Sequence, residues 1–300
     1  MNRVLIVDKP LGLTSHDVVE RIRRSSREKR VGHAGTLDPT ATGVLLILVG
    51  KATRLAQFLA EAPKEYRGHM VLGRTTDTQD LAGRVLAERP FDAVAREDVE
   101  RAFSAFTGEI EQVPPMVSAL KHDGTPLYVL ARKGIVVERA PRTVRVERLG
   151  LLAFDPPEVE FEVLCSKGTY VRTLASDIGD SLRCGACLGG LERRRVGPFS
   201  IADAQPLAAI EALGRGLDAA GVSMFEALPD FPHLSVADSE AEALASGTPV
   251  SVGADRIGRG LGPHVRVTRD GVRLLAIASR RGADEGGAVQ IQPLRVFEEA

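Results

Sequence analysis

Gly32-His33-Ala34-Gly35-Thr36-Leu37-Asp38-Pro39-Thr40-Ala41-Thr42-Gly43-Val44-Leu45 is the stretch that decides how this 300-residue chain reads. A loop rich in Gly, Thr and Pro, 32–43, runs straight into Val44–Val49, an apolar run that reads as a buried strand. A loop that empties into a buried strand is a stiff mount for one aimed side chain, and Asp38 is its only carboxylate. Pro39 keeps Asp38 out of the helical region. Gly35 and Gly43 permit tight turns or close approach by a ligand, and Thr36, Thr40 and Thr42 offer hydroxyls to the backbone. On composition alone an Asp before Pro is a turn initiator, so its chemistry has to be argued from its surroundings.

Upstream, Val4–Val7 predicts a strand and Lys9-Pro10-Leu11-Gly12 a turn. Thr14 or Ser15 then caps a helix to about Arg27, with Val18, Val19 and Ile22 on one face. Arg21, Arg23, Arg24 and Arg27, followed by Lys29 and Arg30, line its other side. Downstream, Leu55, Phe58 and Leu59 mark an amphipathic helix. Tyr66–Leu72 and Gly83–Ala87 predict paired strands around the polar connection Arg74–Asp80. Asp98–Phe106 is helical in pattern, with Gly108 as its stop. The stretch from Val113 to Thr143 is the least regular, with one short helix near Leu127–Arg132. Val144–Phe154 and Val159–Cys165 predict strands, and Thr169–Leu182 a helix. Gly185–Phe199 is Gly-rich and then basic, with Arg193-Arg194-Arg195 in a row. Leu228–His233 is the linker candidate. Beyond it, short strands at Val250, Val265–Val267, Leu274–Ala278 and Val289–Ile291 predict a small β-barrel or roll.

With 44% hydrophobic and 26% charged residues, the chain falls outside the disordered, collagen-like and disulfide-scaffold classes. Its length predicts two domains. The net charge of −1 points to no partner by itself; a nucleic-acid binder of this composition has to segregate its positive charge onto one face. Aromatic residues at 4% and the absence of Trp argue against a broad base-stacking platform. Cys165, Cys184 and Cys187, odd in number and sparse, indicate free thiols in a reducing compartment. The N-terminal apolar run is too short for a signal peptide, and Val44–Val49 is far short of a membrane span. The expectation is a cytoplasmic protein without membrane contact.

Other segments join the 32–45 loop. They are Asp8-Lys9-Pro10-Leu11-Gly12-Leu13-Thr14-Ser15-His16, Lys64-Glu65-Tyr66 with Leu72-Gly73, and Thr76-Asp77-Thr78-Gln79-Asp80. Next come Pro114-Pro115-Met116-Val117-Ser118-Ala119-Leu120-Lys121 and Tyr128 through Gly134. Cys165-Ser166-Lys167-Gly168-Thr169-Tyr170-Val171-Arg172-Thr173-Leu174, Leu191-Glu192-Arg193-Arg194 and Val196-Gly197-Pro198-Phe199 complete the series. In this order, from Asp8 to about Phe199, they resemble the TruB family of tRNA pseudouridine synthases. Ala243-Leu244-Ala245-Ser246-Gly247 resembles the start of a PUA-type RNA-binding domain. The resemblance implies an α+β protein with the pseudouridine synthase fold and a mixed, largely antiparallel central sheet. It places a catalytic domain at 1–228 with a thumb-like RNA-gripping insertion at about 108–143. A small PUA-like β-domain follows at 233–300.

The reaction so implied breaks the N1–C1′ bond of the uridine at position 55 in the tRNA T-arm loop, turns the uracil and rejoins it through C5. An isomerisation of this kind needs no cofactor and no metal. The lack of a phosphate loop, a dinucleotide fingerprint or paired metal-ligand motifs agrees. By the same resemblance Asp38 is the nucleophile, and Arg172 its partner, able to hold the carboxylate bidentately. Tyr66 stacks on the uracil and takes the C5 proton, Tyr170 lines the pocket and Leu191 closes its apolar wall. His33 fills the space left by the extruded base. Asp80 orders the loops through hydrogen bonds, and Lys9 stands outside the catalytic set. The Arg21–Arg30 and Arg193–Arg195 clusters are the expected phosphate contacts. The partner is the T-arm stem-loop of tRNA, met by a monomer without guide RNA.

Blander readings stand beside these. Arg172 on a surface helix, Tyr66 and Tyr170 in a core, and charge runs as solvated faces are all ordinary. Cys184-Gly-Ala-Cys187 without a second pair is a weak zinc signal. An RNA-binding protein without catalysis fits the basic clusters, yet has no need of Asp38, Tyr66, Tyr170 and Arg172 together. A guide-dependent relative is the third option, against which the wording of Gly32–Gly35 and the insertion after Val113 resemble the stand-alone bacterial branch.

Overall fold

The aliphatic run at the N-terminus forms β1 (Arg3–Lys9), with Val4, Leu5 and Val7 fully buried. The computed structural model describes residues 1–260, 262–283 and 288–297. Helix α1 (Ser15–Ser26) starts where the sequence expects it. Thr14 Oγ1 accepts from Asp17 N at 3.0 Å and Asp17 Oδ2 accepts from Thr14 N at 2.8 Å, a reciprocal capping box. Val18, Val19 and Ile22 face the core, as the spacing predicts.

The expected 32–43 loop is shorter than its composition suggests. Val31–Ala34 forms β2 and Ala41–Val49 forms β3, antiparallel to each other, so His33 sits in a strand opposite Ile47. Strand pairing satisfies the backbone groups here, overriding the loop-like composition. Leu55, Phe58 and Leu59 are buried as expected, on a 3₁₀ segment Gly50–Leu55 continued by one α-turn, Ala56–Leu59.

Strand β4 (Lys64–Leu72) alternates buried and less buried residues, the period-two pattern of a sheet. Its partners are not Gly83–Ala87; that segment folds back on its own, as Val85–Glu88 paired with Arg74–Thr76. Helix α2 (Arg96–Ala105), β5 (Gly108–Gln112), β6 (Arg142–Asp155), β7 (Glu158–Cys165) and helix α3 (Val171–Ser181) follow. Between β5 and β6 the chain leaves the sheet for a small hairpin and the expected short helix Leu127–Arg132.

Ala186–Val196, within the stretch that reads as Gly-rich and then basic and predicts no element, is strand β8 at the centre of the sheet. The glycines suit it to that place: a Cβ on Gly189 would stand 2.2 Å from His69 Nε2 on the neighbouring β4. Among the described residues the sheet has 11 strands, with β1-β3-β8-β4-β7-β6-β5 as its main run. Within that run β3 and β8 are parallel and every other pair is antiparallel. This is the mixed, largely antiparallel sheet of an α+β protein.

A second sheet closes the chain: β9 (His233–Ser235), β10 (Val250–Gly253), β11 (His264–Thr268), β12 (Leu274–Ala283) and β13 (Ala288–Val296). Its order is β9-β11-β12-β13-β10. Helix α4 (Asp238–Ala245) packs on it through Ala241 and Leu244. This extra C-terminal sheet unit is consistent with a PUA-like β-domain. Leu274, Ile277 and Phe297 share one apolar cluster with Ala52, Leu55, Phe58 and Leu228, which joins the two units. Of the stretch 233–300, residues 261, 284–287 and 298–300 lie outside the described residues.

Candidate active site

Asp38 lies in the connection from β2 to β3, and four ties fix that connection. Ala41 N donates to Asp38 O at 3.1 Å, a turn with Pro39 at its second position. Gly12 N donates to Pro39 O at 2.8 Å. Ser15 Oγ accepts from Leu37 N at 2.8 Å and lies 3.1 Å from Leu37 O, anchoring the loop to the first turn of α1. Arg193 closes the other side, with Nη2 on Gly35 O at 3.1 Å, Nη1 on Thr36 O at 3.3 Å and Nε on Val44 O at 2.7 Å.

Arg172 lies in the first turn of α3, with a side chain 4% exposed. Its Nε stands 2.9 Å from Asp38 Oδ2, whose own side chain is 40% exposed. The expected bidentate grip is not how the pair is made. Nη1 donates to Thr78 O at 3.0 Å and Nη2 to Val117 O at 2.8 Å, so the terminal nitrogens serve backbone carbonyls. The pair thus fixes the direction of the carboxylate while leaving it open to solvent on its other side. Tyr170, at the cap of α3, is fixed through its backbone: its N donates to Gln112 Oε1 at 3.0 Å and its O accepts from Gln112 Nε2 at 3.3 Å. Burial pushes the Tyr170 phenol above its ordinary range.

Tyr66 sits on β4 directly opposite Arg193 of β8. Burial raises its phenol pKa, while the nearby Arg193 charge pulls it down. Lys9 is fully buried, its Nζ donating to Leu13 O at 2.7 Å and Pro10 O at 2.9 Å. Burial brings it down to about 8 against the raising influence of Asp38. It therefore braces the 10–13 turn and has no access to RNA. Lys64, also buried, donates to Ala60 O and is lowered by burial to about 8. Burial, Arg193 and His16 together lower His33, which favours its neutral ring. Its Nδ1 is buried and has no hydrogen-bond partner among the described residues.

Asp80 is buried and accepts from Thr78 Oγ1 at 2.6 Å, Ala82 N at 3.1 Å and, at 3.5 Å, Thr40 Oγ1 of the Asp38 loop. Beside it, Leu81 N donates to Leu188 O and Leu188 N to Gln79 O. Leu191 stands opposite Ala41 of β3 and Gly68 of β4. It is among the residues lining a cavity of about 420 Å³ with Thr40, Thr42 and Gly190. The larger cavity, about 740 Å³ between Phe58 and His264, contains none of the expected site residues.

The basic clusters divide. Arg193, 1% exposed, cannot reach a phosphate, which corrects the sequence expectation. Arg194 pairs with Glu192 and Arg195 with Glu65, both at the surface side of β8. Arg21 holds Glu211 through two nitrogens, and Arg23 Nη2 donates to Val31 O. Cys165, Cys184 and Cys187 are buried free thiols. Sequence reasoning missed Arg193, Gln112 and Ser15 as supports of the site. Only the alternation of a strand through 193–195 carried a signal for the first of them.

The arrangement offers a partly exposed carboxylate, a guanidinium that orients it, and phenols from two elements beside it. Residues 23–171 match the model of the TruB family pseudouridylate synthase (N terminal domain). The chain is 42% identical to a protein of Geobacter sulfurreducens described as tRNA pseudouridine synthase B, over 99% of this chain and 100% of that one. It is 48% identical to a protein of the same description from Syntrophotalea carbinolica, over 83% and 82%. Among solved structures it is similar to a chain of a Cbf5-Nop10-Gar1 complex. There the TM-score is 0.77 and the identity 27%, over 99% of this chain and 85% of that chain.

Proposed function

The chain belongs to the TruB family of pseudouridylate synthases, and on that premise we propose that it isomerises the uridine at position 55 in the T-arm loop of tRNA. Asp38 attacks the extruded nucleotide and holds it covalently while the N1–C1′ bond is broken. The uracil turns and rejoins C1′ through C5, and the bond to Asp38 breaks and frees the carboxylate; C5 gives up a proton and N1 gains one, so no electrons or groups are left over. Arg172 keeps the Asp38 carboxylate aimed. Tyr66 lies against the uracil and accepts the C5 proton, Tyr170 and Leu191 wall the pocket, and Asp80 ties the Asp38 loop to residues 78–82.

Extruding a base from a folded loop costs a few kcal/mol, and a flat neutral ring offsets part of that by occupying the gap. His33, on the strand leading into the Asp38 loop, is the residue for that place. Its near full-length likeness to a protein described as tRNA pseudouridine synthase B supports tRNA as the partner; the same reading has it act as a cytoplasmic monomer without guide RNA. No described helix is long and apolar enough to cross a membrane.

The observation that carries this reading is the Arg172–Asp38 ion pair, 2.9 Å long, between a buried cation and a half-open carboxylate. The test is to incubate the purified chain with unmodified tRNA transcripts, without added cofactor, and map pseudouridine. One modified site in the T-arm loop is expected. Tightly bound but unmodified tRNA would favour the binding-protein reading instead.

A further inference from the structure

We propose that Arg193 is a positioning residue for the reaction at Asp38, bracing the nucleophile loop on both sides while presenting its charge to Tyr66. The proposal rests on the function proposed above and adds a residue to it.

Three observations carry it. First, the side chain is 1% exposed, and all three guanidinium nitrogens donate to carbonyls that bracket Asp38 in sequence: Gly35 and Thr36 before it, Val44 after it. Main-chain oxygens 35, 36 and 44 are thereby fixed to one planar group, and the residues between them have little freedom left. Second, the backbone of Arg193 stands opposite Gly43 of β3 on one side and Tyr66 of β4 on the other. A Cβ on Gly43 would come within 2.3 Å of Arg193 O, so the approach of β3 to β8 is as close as a backbone without side chain allows. One residue therefore sets the spacing between the Asp38 loop and the Tyr66 phenol.

Third, Arg193 forms no ion pair among the described residues, and Lys9 and Lys64 lie buried near it. Burying an unpaired charge is costly, and a neutral donor would suffice for a purely mechanical brace. The charge is accounted for if it acts on the reacting groups, where a low-dielectric surrounding lets it count. Its effect on the Tyr66 phenol opposes that of burial, in the direction a proton acceptor needs.

Catalytic geometry tolerates about 0.5 Å, and a misplacement of about 1 Å can cost 10²-fold in rate. The test compares Arg193→Lys and Arg193→Gln with the parent chain by single-turnover pseudouridine formation, T-arm RNA affinity and thermal melting. The expected result is a rate about 10²-fold lower in Arg193→Gln, partial recovery in Arg193→Lys, and RNA affinity within about threefold of the parent in both. Equal rates per folded molecule would overturn the proposal, as would a loss of affinity matching the loss of rate. Should Arg193→Gln not fold, Arg193→Lys decides by the same criteria, a slowed rate with retained affinity supporting and an unchanged rate overturning. Lack of activity in the parent chain would instead count against the proposed function itself.

Discussion

Arg172 Nε lies 2.9 Å from Asp38 Oδ2, and the remaining guanidinium nitrogens hold Thr78 O and Val117 O. One side chain thus joins three segments far apart in sequence: the loop bearing the carboxylate, the turn after Thr76, and the root of the excursion between β5 and β6. The pair is an alignment device as much as a charge balance, because a guanidinium fixed by two carbonyls has one direction left for its third nitrogen.

Asp38→Asn keeps the shape of the side chain and removes its charge. Pseudouridine formation is expected to fall on the order of 10⁴-fold or more, with RNA affinity within a few-fold of the parent. Rate and affinity measured on one preparation check this, and an active Asp38→Asn variant would remove the nucleophile from the proposal.

Arg172→Lys retains the charge without the three-way fork. An ammonium cannot reach Asp38, Thr78 O and Val117 O in the same fixed plane, so the single-turnover rate is expected to drop about 10²-fold or more. Arg172→Met, which leaves Asp38 unpaired, is expected to be slower still.

Tyr66 gives a pH signature. Burial pushes its phenol above the ordinary value, so at neutral pH the ring oxygen carries its proton and has to lose it before accepting another. Acting as the base, it gives a rate that climbs about tenfold per pH unit through the neutral range. Lys9 and Lys64 lose protons near pH 8 and distort the upper part of that profile. Tyr66→Phe separates the two effects: it is expected to be slow and to lack the neutral slope.

Asp177, on α3, lines a cavity of about 440 Å³ with Gln79, Glu111 and Arg139, and burial followed by the Asp180 charge raises it to about 6. Above pH 6 the carboxyl is ionised in folded and unfolded chains, and the folded one bears the desolvation cost. Between about 6 and the unfolded value the folded chain takes up a proton that the unfolded one does not, so stability from this group grows as pH falls. Asp177→Asn is therefore expected to stabilise at pH 7.5 by about 1 kcal/mol, allowing for solvent screening. The gain should vanish near pH 4, and denaturant midpoints at the two pH values decide.

Gly43→Ala places a Cβ 2.3 Å from Arg193 O, at a residue whose φ is +98°. The strain of that conformation and the enforced separation of β3 from β8 are expected to cost at least about 2 kcal/mol. A melting temperature close to that of the parent would contradict the backbone contact.

What the sequence made legible was local. β1, α1 with its Thr14 cap, Val44–Val49 and the 144–165 strands follow from period, branching and capping chemistry within a few residues. What it hid was long-range. β8 escapes assignment as a strand, because Gly189 and Gly190 weaken a strand pattern until the His69 ring beside them is seen. The Arg193-Arg194-Arg195 run reads as a solvated cluster until strand alternation turns its first member inward. Gly83–Ala87 has the look of a partner for β4, yet β4 is already paired on both edges by β7 and β8. In the site, Asp38, Tyr66 and Arg172 were named by motif resemblance. Their supports, Ser15, Gln112 and Arg193, were not, because each acts through backbone groups distant in sequence.

The parallel pairing of β3 with β8 has a consequence for biosynthesis. Arg193 and Val44, which share a hydrogen bond, are 149 positions apart. A ribosome threading this polypeptide into the cell exposes Asp38 and Tyr66 long before the strand that separates them has been translated. Contacts between such distant partners form slowly, and until they do the apolar edges of β3 and β4 stand open to aggregation. The pocket proposed around Asp38 is thus finished only after about two thirds of translation, when the strand ending at Val196 has been made.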